Sequence, residues 1–221
     1  MLGRQDQRGL LRMRASRQGF SLIELMISLV VMALLISLGA PAFSEWIQNQ
    51  QIRAAAESTL NGLQVARAEA VGRNTNVSFQ FMGDLSSSCA TAPVGSGPPG
   101  TLASMSWVVS LGDPTGACDK KVSDGGPVIQ SRTGTETTPN AIVTTNPAGS
   151  TTVTFTPLGG TTGNPDGSPA MLRMTLNNTV LMSGGVPTSA ARSLQIVISP
   201  GGSTRMCDLS AVAPDTRACP P

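Results

Sequence analysis

The sequence predicts an α+β protein, with one long N-terminal helix ahead of a head of antiparallel strands. Three observations predict it. Residues 25–44 carry no charge and are mostly Leu, Ile, Val, Met, Ala or Ser. Apolar residues then recur near helical spacing as far as Val71. From Thr75 onward the apolar period falls to two, the spacing of a strand.

The uncharged run is long enough to cross a bilayer core as a helix, which takes about 20 residues. Five arginines precede it, at positions 4, 8, 12, 14 and 17, with Asp6 the only acid among them. That asymmetry predicts a cytoplasmic N-terminus, with everything after the span on the far side. Glu24 interrupts the apolar stretch one turn after Phe20. A carboxylate in lipid is costly, so it needs a partner. The α-amino group that cleavage before Phe20 would create is one such partner, on this chain or a neighbour.

After Pro41 the helix continues. Phe43, Trp46, Ile47, Ala54, Leu60, Leu63 and Ala66 or Ala70 fall near one face. Gly72-Arg73-Asn74 supplies a stop. Residues 20–43 thus read as a transmembrane helix and 44–73 as its amphipathic continuation, which needs a domain to lie against. Residues 74–221 form the β-rich head. Val77, Phe79 and Phe81 alternate with Ser78 and Gln80, as in a half-buried strand. Further strands are expected at 106–111, 128–131, 141–144, 152–156, 171–176 and 193–199. The Gly/Pro-rich stretches 94–100 and 158–169 read as loops.

Composition narrows the chemistry. The chain has 221 residues, no histidine and no tyrosine. Histidine metal sites and histidine-based triads are therefore excluded. The formal charge of +2 is set by the N-terminus. Five of fifteen basic residues and one of thirteen acids lie in 1–19, which leaves ten against twelve. A nucleic-acid partner would need a local basic patch. Cys89, Cys118, Cys207 and Cys219 form no C-x-x-C pair, and an even count in an exported domain favours disulfides. Proximity favours Cys89–Cys118 and Cys207–Cys219 among three possible pairings, with free buried thiols as the alternative. Asp113, Asp119 and Asp124 match no EF-hand spacing and read as ordinary loop acids. No G-x-S-x-G elbow or P-loop is present. No enzymatic activity, metal or cofactor is expected.

The string Gly19-Phe20-Ser21-Leu22-Ile23-Glu24-Leu25 behind a basic leader resembles the class III signal of type IV pilins and type II secretion pseudopilins. The resemblance implies that a prepilin peptidase removes residues 1–19, cutting between Gly19 and Phe20, and methylates the new amine of Phe20. It also implies that Glu24 pairs with the N-terminus of a neighbouring subunit during assembly, and that Pro41 kinks the helix. The order of helix then strands resembles the pilin layout. Segments 107–109, 153–155 and 194–202 resemble the GspH/FimT group of minor pilins, which implies a β-sandwich-like head packed on the helix. The expected role is a minor pilin or pseudopilin in type IV pilus biogenesis or type II secretion. The expected location is the inner membrane, with the head periplasmic and other minor pilins as partners. An ordinary secretory signal, with Ala40-Pro41-Ala42 imitating a cleavage site, is the bland alternative, and it leaves Glu24 unexplained. FimT-type proteins of natural transformation carry a Gly-Arg-x-Arg motif implicated in DNA binding. Here Gly202-Ser203-Thr204-Arg205 keeps Arg205 and has serine at the first arginine. DNA is therefore a weak partner at most, with Arg205, Arg192 and Arg217 as its candidate contacts, opposed by Asp208 and Asp215.

Overall fold

The computed structural model describes residues 19–95, 99–134, 140–179, 182–183, 186–187 and 191–220. Residues 1–18 of the expected leader and 96–98 of the expected loop lie outside them. The chain divides into two compact units, residues 1–41 and 42–221. Helix α1 spans Leu22–Arg73.

In the first unit, α1 exposes every large apolar side chain, from Leu22 through Leu38. By length and composition alone, this helix is long and apolar enough to cross a membrane.

In the second unit, α1 ends at Arg73, and Asn74 follows with a positive φ of 51°. Asparagine in this left-handed conformation is a common helix stop. The strands form two five-stranded antiparallel sheets. The first takes β1 (Val77–Met82), β3 (Ser106–Ser110), β4 (Val128–Arg132), β6 (Thr152–Phe155) and β7 (Thr161–Thr162), in the order β4-β3-β1-β6-β7. The second takes β2 (Thr101–Leu102), β5 (Ala141–Asn146), β8 (Arg173–Asn178), β11 (Leu194–Ile198) and β12 (Thr204–Asp208), in the order β12-β11-β8-β5-β2. A small separate pair joins β9 (Met182–Ser183) and β10 (Val186–Pro187).

One apolar core joins the helix to both sheets. It takes Ile52, Ala56, Leu63, Ala66 and Ala70 from α1, Phe79, Trp107 and Phe155 from the first sheet, and Val143, Leu176 and Ile196 from the second. The buried helical stripe differs from the expected one. Ala54 is exposed, and Ile52, Ala55, Ala56 and Thr59 are buried instead. Phe43 and Trp46 stack on each other at 5.8 Å and remain exposed. Small residues let the helix lie close to the sheet. A Cβ at Gly62 would come within 2.8 Å of the Phe79 ring and 3.1 Å of Trp107.

Two further expectations are corrected, and one strand was not expected. β1 is not half-buried, because all six of its residues are buried. Its second face is covered by the long connections on either side of β3, where Met82 and Val108 pack against Cys89, Cys118 and Val128. The stretch read as a loop at 158–169 contains β7, paired with β6 through Thr154–Thr162 and Phe155–Thr161. Beyond Ile198 the chain turns at Pro200-Gly201-Gly202 and returns as β12, in register with β11 from Thr204 to Asp208.

Two disulfides close the head, Cys89–Cys118 and Cys207–Cys219. The first closes a span of 29 residues and the second one of 12. Cross-links stabilise more when the loop they close is longer, typically by about 2–4 kcal/mol. Cys89 and Cys118 are also almost fully buried. Replacing both with serine is expected to lower the thermal midpoint more than replacing Cys207 and Cys219, as followed by circular dichroism. An equal or reversed order would show that loop length and burial do not govern these bonds.

Candidate functional site

Two regions hold the residues singled out in the sequence. The first is the start of α1. Gly19 and Phe20 precede the helix, and Phe20 is 82% exposed. The Leu25 amide donates to the Ser21 carbonyl at 3.1 Å, so the first helical turn closes on Ser21. Glu24 lies in that turn and is exposed. A carboxylate there is favoured by the free amides at a helix N-terminus. Among the described residues Glu24 forms no ion pair. The exposed apolar side chains Ile23, Leu25, Met26 and Ile27 surround it. The arrangement is a helix end with a single acid on an apolar surface. It can accept a cationic group.

The second region is the C-terminal tail. After β12, the Asp208 amide donates to the Arg217 carbonyl at 2.8 Å, and Cys219 ties the returning chain to Cys207. Arg205 is exposed on β12, and its guanidinium donates to the Thr216 carbonyl at 3.2 Å. Arg217 pairs with Asp215 at 2.7 Å. Hydrogen bonds from the Arg217 side chain and backbone lower the Asp215 carboxyl to about 2. Ser203 is committed locally too, its hydroxyl bonded to that of Ser199 at 2.8 Å. Arg192 and Arg217 line one groove with Arg53, Trp46 and Asp208, and Arg205 lies outside that lining. Two of the three candidate arginines, Arg205 and Arg217, have local partners, and the groove bordered by Arg192 and Arg217 contains Asp208.

Sequence reasoning missed Arg67, which ties two turns together. Its Nε donates to the Gly159 carbonyl at 2.9 Å, and its guanidinium reaches the Gly201 carbonyl at 3.4 Å. Gly159 and Gly202 both have positive φ, and a Cβ at Gly202 would lie 1.8 Å from the Gly159 carbonyl oxygen. The glycines were the available signal, because a left-handed turn in close contact with another turn requires them.

Comparison with known proteins bears on the start of α1 and on the head as far as Gly202. Residues 55–202 match the family model described as type II transport protein GspH. The chain belongs to the GspH family. Residues 14–40 match the prokaryotic N-terminal methylation motif, which includes Gly19, Phe20 and Glu24. Two crystal structures of the Pseudomonas aeruginosa type IV minor pilin FimU are similar. One has 18% identity and a TM-score of 0.39, covering 70% of this chain and 90% of that one. The other has 16% identity and a TM-score of 0.41, covering 73% and 91%. No curated protein matches. This GspH-family member is a minor pilin or pseudopilin subunit: its methylation motif sits at the start of a long apolar helix, and its family domain covers most of the β-rich head.

Proposed function

We propose that the chain is made as a precursor and cut between Gly19 and Phe20 by a prepilin peptidase, which then methylates the Phe20 amine. Residues 20–43 hold it in the inner membrane, with the head on the periplasmic side. From there it joins other minor pilins or pseudopilins in a pilus or secretion pseudopilus, where Glu24 pairs with the N-terminal amine of a neighbour. Its role is structural, and it catalyses no reaction of its own. The observation that carries this reading is the methylation motif at 14–40, laid over the start of α1, where the large apolar side chains from Leu22 through Leu38 are all exposed. An uncompensated acid on such a surface is expensive in lipid, which accounts for the need for a cationic partner. No observation favours the DNA-uptake alternative.

The test is the mass of the N-terminal peptide from protein extracted from membranes. It is expected to begin at Phe20 and to carry one methyl group. A mature chain beginning near Phe43 would mean that an ordinary signal peptidase acts, and would overturn the proposal.

A further inference from the structure

The outer face of the first sheet holds a small polar pocket that the assembly role does not use. Its volume is about 120 Å³. Ser78 and Gln80 of β1 and Thr152 of β6 form its floor, each less than a tenth exposed. Its rim is set by two loops that are distant in sequence. Asp113 and Thr115 come from the connection after β3, and Asp166 comes from the connection between β7 and β8. Both acids are exposed, and neither pairs with a Lys or Arg among the described residues.

Gln80 is the unexplained residue. It is only 6% exposed, yet no group among the described residues hydrogen-bonds its carboxamide. The fully buried polar atoms without a partner are Gln51 Oε1 and Asn177 Oδ1 among the described residues, so the Gln80 carboxamide is open to the pocket, where water or a ligand completes its bonds. Its neighbours on the same face are satisfied: the Ser78 and Thr154 hydroxyls bond each other at 2.9 Å, and Asn164 accepts from Thr154. The two carboxylates are half-used in the same way. Asp113 Oδ1 accepts from the Thr115 amide, and Asp166 Oδ1 accepts from Ser168. The Oδ2 of each makes no bond among the described residues.

We propose that this pocket is a calcium site, in which Gln80, Asp113 and Asp166 supply oxygen ligands and the cation joins the two rim loops. Calcium takes six to eight oxygens in flexible geometry, including carboxylates, amide carbonyls and water. Two carboxylates, one buried amide and the hydroxyls of Thr91 and Thr115 meet that chemistry. The residues offer no nitrogen or sulfur ligand, which disfavours zinc and copper. No three acidic, histidine or cysteine side chains gather for a metal among the described residues. Two carboxylates alone place the affinity at the weak, extracellular end, about 10⁻⁴–10⁻³ M.

The test is calorimetric titration of the full chain in detergent micelles, stripped with chelator, using calcium chloride. One saturable site in that range is expected, together with a higher thermal midpoint in calcium than in chelator. Asp113→Asn and Asp166→Asn should each weaken binding by about tenfold or more, since the neutral amide keeps the turn but loses the charge. Gln80→Leu should weaken it several-fold. Asp119→Asn, outside the pocket, should change nothing. Magnesium should bind more weakly, because it sheds water reluctantly. Absence of saturable heat up to about 10 mM calcium, ten times the weak end of the range, would mean a pocket filled by water only. Undiminished binding in the Asp113→Asn/Asp166→Asn double variant would place the ion elsewhere. Either result overturns the proposal, and neither touches the assembly role of the helix.

Discussion

Trp107→Ala should remove about 3–5 kcal/mol of stability from the head, the usual cost of truncating a fully buried tryptophan. That is a large share of the roughly 5–15 kcal/mol that holds a domain folded. Trp107 is 2% exposed on β3, between α1 and the rest of the first sheet. Its ring lies 5.6 Å from Phe79, which in turn meets Phe81 edge-on at 5.2 Å. Its indole N–H donates to Ser58 Oγ on the helix at 3.3 Å. Packing dominates, because a neutral hydrogen bond of this kind contributes only about 0.5–1.5 kcal/mol net. Ser58→Ala should therefore cost far less than Trp107→Ala. Urea unfolding of both variants, followed by circular dichroism, checks this order. A loss below about 1 kcal/mol for Trp107→Ala would mean that the helix and sheet close over the vacated space.

What the sequence made legible was whatever depended on local pattern. The helix stop at Gly72-Arg73-Asn74 is local chemistry, and α1 ends at Arg73. The two-residue period of Val77, Phe79 and Phe81 is local too, and it marks the face of β1 turned to the core. The other face of β1 was not legible. Ser78 and Gln80 are polar and read as solvent-facing, but loops around Asp113 and Asp166 border them and each is less than a tenth exposed. The calcium pocket was hidden for the same reason. Asp113 and Asp166 are 53 positions apart, and only the folded sheet brings their loops to Gln80. The grouping of Asp113 with Asp119 and Asp124 relied on sequence proximity, and the pocket lining includes only the first. β12 failed differently. Pro200-Gly201-Gly202 is a hairpin signal, but Thr204–Asp208 lacks a clear apolar alternation, and its pairing with β11 sets it as a strand. The N-terminal methylation motif was legible because such a signal is linear sequence, and residues 14–40 match it.

Glu24→Ala is expected to leave processing and membrane insertion intact while reducing incorporation into the filament by roughly a hundredfold. Insertion should improve slightly, since the variant no longer carries an acid into lipid, a burden of about 2.5–3.5 kcal/mol at the bilayer centre and less near its edge. Cleavage should persist, because the Gly19-Phe20 junction is unchanged. Assembly should fail, because the wild-type helix presents Glu24 on an otherwise apolar surface, with no partner in its own chain among the described residues. A neighbour's Phe20 amine would then be left in the packed helical core without its counter-charge. Removing one member of a buried ion pair typically costs about 3–5 kcal/mol, which is about two to four powers of ten in an association constant. Glu24→Asp separates charge from reach: it keeps the carboxylate but shortens it by one methylene, and should retain part of the incorporation. Glu24→Gln, equal in length but neutral, should behave like alanine. The measurement is the fraction of processed subunit recovered with sheared filaments or with cross-linked partner subunits, at native expression. Equal recovery of wild type, Glu24→Ala and Glu24→Gln would show that the carboxylate pairs with no neighbour, and the assembly role of Glu24 would fall while the processing prediction stood.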